Sequence, residues 1–365
     1  MNLPALLDGM KKVNATDLHL RVNTPPTFRV NSRLRPIDHP ALSKEDIEQT
    51  IQEMMPDYVK DYYEKVGVAD FAYSQASAGR FRFAAYRQSG SLSVAIRRIS
   101  LECPLLQDLN LPDPVYRLTK EHRGLVLVTG VTGSGKSTTL AGLLQEINKT
   151  RRSHIVTLED PIEYVFEQEK SLINQIEIGR DTSTFHDAMK HVVRLDPDIV
   201  MVGEMRSRDT IAAALEAADT GHLVFSTLHT SDAKQTVNRI LHFFPKEDED
   251  LILEQLSLNL RSIISQRLLR RADKDGLIPT IELLFNTPIV SKLIREGRID
   301  DMQQTLKNRD EGMQTFDASL VDLVKAEKIT METALEYCAD EAGLRRMVRG
   351  ESSAGDSAGL IGSSF

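Results

Sequence analysis

One stretch limits this chain more than any other: Gly130-Val131-Thr132-Gly133-Ser134-Gly135-Lys136-Ser137-Thr138. It satisfies G-x-x-x-x-G-K-[ST], follows the apolar run 124–129 and opens a helical pattern, the context that such a loop requires. Glycines let backbone N–H groups turn inward around a polyphosphate, and the helix N-terminus adds a favourable dipole. In that geometry Lys136 reaches the β- and γ-phosphates, while the Ser137 hydroxyl ligates Mg²⁺. Residues 130–138 are therefore expected to bind a nucleotide.

The surroundings predict an α/β domain. Short apolar runs at 125–129, 155–158, 199–202 and 223–227 alternate with helical patterns. Continuous apolar runs mark strands covered on both faces, hence a mostly parallel sheet. A helix is expected over 208–219, with Ser207 as N-cap and Gly221 just past its end. Leu253, Leu256, Leu260, Ile263 and Ile264 predict one long amphipathic helix over 247–270, and shorter helices follow Ile299.

Upstream, residues 1–100 read as a small α+β domain. Polar and apolar residues alternate over 17–22 and 28–30, with Asn31-Ser32 turning the chain toward Leu34 and Ile37. A helix over 43–66 opens with Ser43 as N-cap and Asp46 in its first turn. A second hairpin runs from 80–86 through Ser89-Gly90 into 93–99. Pro104, Pro112 and Pro114 mark 101–122 as a linker, 123–350 forms the second domain, and the Ser/Gly-rich stretch 351–365 reads as a disordered tail.

A phosphate loop needs a carboxylate on the magnesium side and a group that positions water. The strand over 199–202 ends in Gly203-Glu204, and ligand sites of open parallel sheets lie at such C-terminal ends. A second acidic cluster, Glu159-Asp160-Pro161-Ile162-Glu163, ends another strand, and Glu163 is preferred to Glu159 as the residue activating water. His222 and His229 flank the run 223–227, where they read either as packed or surface residues or as sensors of the γ-phosphate.

Composition narrows the alternatives. With 45 Lys and Arg against 53 Asp and Glu, a net charge of −8, 5% aromatics and no Trp, the chain is a poor nucleic-acid motor, and no nucleic-acid partner is expected. Two isolated cysteines, Cys103 and Cys338, make neither a four-cysteine zinc site nor a disulfide framework, which fits a reducing compartment. There is no signal pattern and no apolar run of bilayer-spanning length, so a cytoplasmic chain is expected, held at any membrane by another protein.

Together, 130–138, 157–164, 196–206 and 220–230 resemble in order and spacing the boxes of the secretion-type RecA-like ATPases, and within them the type IV pilus retraction ATPases (PilT/PilU). The similarity runs from Asp17-Leu18-His19 to about Gly350. The resemblance implies a RecA-like P-loop domain preceded by a PAS-like α+β domain, and Mg-dependent hydrolysis of ATP. It implies Glu163 as general base, Glu204 holding Mg²⁺ through water, and His229 near the γ-phosphate. It also implies Arg82 and Arg97 completing the site, although each alone reads equally well as a solvated strand face. A homohexamer acting on an inner-membrane platform protein is implied too, with a paralogous retraction ATPase as a further partner. Pilus-assembly and type II secretion ATPases typically carry a longer N-terminal region and a four-cysteine zinc site, both lacking here. His242-Phe243-Phe244-Pro245 leans toward PilU, whereas the nucleotide boxes fit PilT equally.

Overall fold

Two sheets organise the chain in the computed structural model, which describes residues 1–30, 33–99 and 103–351. They belong to two units: Met1–Cys103 with Pro161–Phe166, and Pro104–Asp160 with the chain from Glu167 onward. The expected turn at Asn31-Ser32 and residues 352–365 of the expected tail lie outside the described residues.

In the first unit, six strands form an antiparallel sheet: β1 (Asp17–Leu20), β2 (Thr27–Val30), β3 (Arg33–Pro36), β4 (Val68–Gln75), β5 (Gly79–Gln88) and β6 (Ser91–Ile99). Their order is β3-β2-β1-β6-β5-β4. Register puts Leu18, Leu20, Phe28, Phe71, Phe81, Phe83, Val94 and Ile96 on one face. That face forms a core with α1 (Leu3–Lys12), α2 (Lys44–Met54) and α3 (Asp57–Val66). Ser43 and Asp46 close the predicted N-terminus of α2 as a reciprocal capping box. The single helix expected over 43–66 is in fact two. Pro56 lacks an N–H and holds Met55 extended, which stops α2 and starts α3. β4 was missed, although Ala69, Phe71 and Tyr73 alternate as a strand should.

The second unit has a seven-stranded sheet ordered β13-β12-β7-β11-β10-β8-β9. Its strands are β7 (Gly124–Thr129), β8 (His154–Glu159), β9 (Leu172–Glu177), β10 (Ile199–Val202), β11 (Leu223–Leu228), β12 (Leu260–Arg270) and β13 (Leu277–Phe285). All pairings are parallel except β12–β13. The helices are α4 (Lys136–Thr150), α5 (Phe185–Val192), α6 (Arg208–Asp219), α7 (Ala233–Leu241), α8 (Glu249–Asn259), α9 (Pro288–Arg295), α10 (Met302–Lys307), α11 (Phe316–Lys325), α12 (Met331–Tyr337) and α13 (Glu341–Arg349).

Two expectations need correcting here. The helix foreseen over 247–270 ends at Asn259, and Leu260–Arg270 is strand β12, paired with β7 on one side and β13 on the other. A strand buried on both faces has a run of apolar residues that helical spacing also fits, and the tie is broken by the unpaired edge of β7, whose backbone needs partners. The linker foreseen over 101–122 is also largely packed structure. From Pro104 it belongs to the second unit, where 3₁₀ turns at Leu106–Leu109 and Asp113–Lys120 bury Leu106, Val115 and Leu118. Gly142 of α4 has no side chain because Leu109 Cδ1 lies 2.7 Å from where its Cβ would be. No described helix is long and apolar enough to cross a membrane.

Candidate active site

The phosphate loop joins β7 to α4 as its spacing predicts. Gly130, Gly133 and Gly135 have φ of 147°, 80° and 89°, a region that side-chain-bearing residues avoid. At Gly130 space forbids a side chain as well, because a Cβ would lie 2.4 Å from the Gln266 carbonyl. Val131, Thr132 and Gly133 form the exposed crest, and Ser134 is buried. Ser137 and Thr138 stand in the first turn of α4, whose N-terminus no side chain caps among the described residues. Its first N–H groups are those that an anion satisfies at a helix start. Lys136 is 8% exposed, and its Nζ donates to the carbonyls of Gly130 at 2.9 Å and Val131 at 3.0 Å.

The strand ends supply the rest. Parallel register aligns Leu158 with Val202, Val202 with Ser226 and Leu228 with Thr129, so the segments after β7, β10 and β11 start from one edge of the sheet. Thr227 Oγ1 donates to the Gly203 carbonyl at 2.7 Å, and Met205 N–H to the Thr227 carbonyl at 3.1 Å, which pins Glu204 between them. Glu204 Oε1 pairs with Arg206. Its Oε2 is buried without a hydrogen-bond partner among the described residues, with His229 Nε2 standing 3.4 Å away. Burial and then the positive charge of Lys136 push His229 below the usual histidine range, against the pull of Glu204. The imidazole is therefore neutral near pH 7, with Lys136 and Glu204 acting on it in opposite senses. His222, at the opposite end of β11, instead places Nδ1 2.9 Å from the Ala217 carbonyl at the end of α6.

A magnesium ion bound with substrate phosphate needs only one or two protein oxygens. Ser137 offers a hydroxyl and Glu204 a carboxylate oxygen with no other hydrogen bond, so the donor set fits. No cluster of three or more His, Cys, Asp or Glu among the described residues could hold a metal by itself.

The acids and arginines divide differently. Glu159 is buried, accepting from Thr157 Oγ1 at 2.7 Å and Gln175 Nε2 at 3.0 Å. Glu163 is exposed and lies in Pro161–Phe166, the segment grouped with the first unit. Arg82 and Arg97 are in that unit too, directly opposite each other across β5 and β6. The same cross-strand rank continues through Asp17 to Arg29. Arg97 Nε donates to Asp17 Oδ1 at 2.9 Å, and Arg82 Nε lies 3.5 Å from Asp70 Oδ1. Burial would raise the Asp17 carboxyl, but the Thr16 hydroxyl and Arg97 hold it below the ordinary range. Like charges directly opposite each other disfavour a sheet, and here Asp17 and Asp70 offset the repulsion between Arg82 and Arg97.

Two polar residues escaped sequence reasoning. Gln266, in β12, touches the phosphate loop, and its one signal was a lone amide inside an apolar strand. Glu282, in β13 and 4% exposed, accepts from the Ala233 N–H at 2.8 Å where α7 begins, just after the His229 segment. Burial pushes its carboxyl up to about 7, Asp232 adds to this, and the Ala233 N–H, Gln303 and Arg267 oppose it. A raised carboxyl pKa gives stability that is complete below the ordinary 4.5 and lost as pH climbs to about 7. Glu282→Gln keeps an acceptor for Ala233 and is expected to remove that loss, worth about 3 kcal/mol at most. In thermal melts its advantage over the parent should grow between those pH values, and parallel curves would reject the assignment.

Residues 94–319 match the family described as type II/IV secretion system protein. The chain is 37% identical over 350 residues to the type IV pilus ATPase PilU of Pseudomonas aeruginosa, covering 96% of this chain and 92% of that protein. It is 40% identical over 337 residues to the pilus retraction ATPase PilT of the same organism, covering 92% and 98%. A crystal structure of the pilus retraction motor PilT with bound ADP superposes with a TM-score of 0.89 at 39% identity, over 95% of this chain and 100% of that one.

Proposed function

The chain belongs to the type II/IV secretion system protein family, and from that premise we propose that it is a cytoplasmic ATPase driving type IV pilus retraction. The observation that carries this reading is the contact of His229 with Glu204 at the strand ends that also carry a phosphate loop, in a chain that aligns almost end to end with PilU and PilT. Loop N–H groups and Lys136 hold the β- and γ-phosphates of ATP. Ser137 and, through water, Glu204 would hold Mg²⁺, which neutralises charge on the phosphates when bound. Neutral His229 donates toward the γ-phosphate. Glu163 takes a proton from the attacking water, and Arg82 and Arg97 offset the charge that builds on the transferred group.

The working form is a homohexamer that acts on an inner-membrane platform protein, with a paralogous retraction ATPase as its companion. Deleting the gene is expected to leave cells with excess pili and no twitching. Loss of pili in the deletion strain would instead identify an assembly motor.

The choice between the two acids has its own test. Glu163→Gln is expected to bind ATP and assemble normally yet lose roughly 10²–10⁴ in turnover, because the amide keeps the shape without the basicity. Glu159→Gln perturbs the β8–β9 contacts but leaves the proposed base in place. Normal hydrolysis by Glu163→Gln alongside a dead Glu159→Gln would transfer the role to Glu159.

A further inference from the structure

Strand β12 holds different parts of its unit on its two faces. On one face Gln266, 3% exposed, donates from Nε2 to the Ser134 carbonyl at 2.6 Å and accepts at Oε1 from Thr139 Oγ1 at 2.8 Å. The chemistry fixes the amide's orientation, since a carbonyl only accepts and the hydroxyl finds its acceptor here. Both ends of the side chain are thus committed, one to the phosphate loop and one to the first turns of α4. The approach is close: a Cβ on Gly135 would lie 2.6 Å from Gln266 Nε2. In a trans peptide the C=O and the following N–H point in opposite directions. Holding the Ser134 carbonyl against β12 therefore aims the Gly135 N–H away from β12, and an anion cradle depends on such fixed N–H directions.

The next residue, Arg267, projects to the other face by strand alternation. Its guanidinium lies 4.0 Å from the Phe316 ring centroid in α11, and Nη1 donates to the Tyr337 carbonyl at the end of α12 at 3.0 Å. Farther along, Leu269 of β12 and Ile278 of β13 share an apolar cluster with Leu320, Ile329 and Leu344. Two consecutive residues of one strand thus grip the phosphate loop and the C-terminal helices.

We propose that Gln266 is a positioning residue that sets the shape of the phosphate loop, and that β12 transmits occupancy of that loop to α11 and α12 through Arg267. The inference rests on the ATPase reading above and adds to it a route by which nucleotide reaches helices that do not touch it.

The test uses the full-length protein. Gln266→Met removes both hydrogen bonds at similar volume, and Gln266→Glu turns the Ser134 donor into a charged acceptor, adding repulsion to the lost bond. Each is expected to raise the KM for ATP and the Kd for a fluorescent ADP about tenfold, the scale of one or two lost hydrogen bonds, while kcat changes less than about threefold. Thr139→Val, which spares the Ser134 bond, is expected to raise KM by no more than about threefold. In the parent, ADP should slow amide hydrogen exchange over residues 316–337, and both Gln266→Met and Arg267→Ala should abolish that slowing. Unchanged KM and Kd in both Gln266 variants would overturn the positioning role. Exchange over 316–337 indifferent to ADP in the parent would overturn the transmission. A parent that neither binds nor hydrolyses ATP brings down the functional reading and this inference with it, whereas an active parent with indistinguishable variants brings down this inference alone.

Discussion

Lys136→Ala and Glu204→Ala are both expected to stop ATP turnover, for different reasons. In the proposed mechanism Lys136 supplies a buried positive charge to the phosphates, and losing a charge-assisted hydrogen bond costs about 2–3 kcal/mol, roughly 30–150-fold in nucleotide Kd. Its variant should fail at binding. Glu204 is proposed to act on the metal side, so Glu204→Ala should bind nucleotide within a few-fold of the parent while hydrolysis falls by roughly 10²–10³. Paired titration and turnover measurements check both claims. Wild-type hydrolysis by Glu204→Ala would remove that residue from the mechanism, and parent-like affinity in Lys136→Ala would remove the lysine from phosphate binding. One further effect follows from the charges around His229: without Lys136 nearby, the imidazole is held down by burial and the charge of Arg206 and should titrate at higher pH.

The second large effect concerns Arg82 and Arg97. In the full-length protein each alanine variant is expected to lose on the order of 10³ in turnover, the lower end of what arginine fingers contribute in other phosphate-loop enzymes. Nucleotide affinity and the mass of the assembled particle, followed by light scattering, should hardly change. The rank Arg82–Arg97–Asp17–Arg29 sharpens this expectation. Removing one of two facing cations relieves repulsion, so Arg82→Ala should be at least as stable as the parent even as it loses activity, whereas Arg97→Ala also gives up its 2.9 Å bond to Asp17. Function and stability moving in opposite directions would mark residues kept for chemistry. Normal turnover in the assembled double variant would leave the first unit a scaffold.

The loop around Gly130–Ser137 was legible because its chemistry tolerates few substitutes, and the strands 124–129 and 199–202 because burial on both faces demands unbroken apolar runs. Ser43 and Ser207 were legible for a local reason, since a cap is decided within four residues. Leu260–Arg270 was not, because pairing with β7 is a long-range event that helical spacing imitates. Gln266 and Glu282 were invisible for a related reason. A polar residue within an apolar run becomes meaningful only when its partner, 132 or 49 positions away, is known. Arg82 and Arg97 could be singled out only by resemblance, although their hairpin was predicted correctly.

The six residues Pro161–Phe166 carry an implication for biosynthesis. A ribosome delivers the first unit up to Cys103 and then makes 57 residues assigned to the other unit, Pro104–Asp160, before the missing six emerge. The first unit's core, which lies within residues 1–96, is made before them, and its contacts with Pro161–Phe166 come later. Those contacts wait until the phosphate loop, α4 and β8 have left the exit tunnel. A gene fragment stopping at residue 103 encodes the core of the first unit without its last six residues, and one starting at residue 104 encodes a second unit carrying six residues grouped with the first. The two units are separable on paper but not by cutting the chain once.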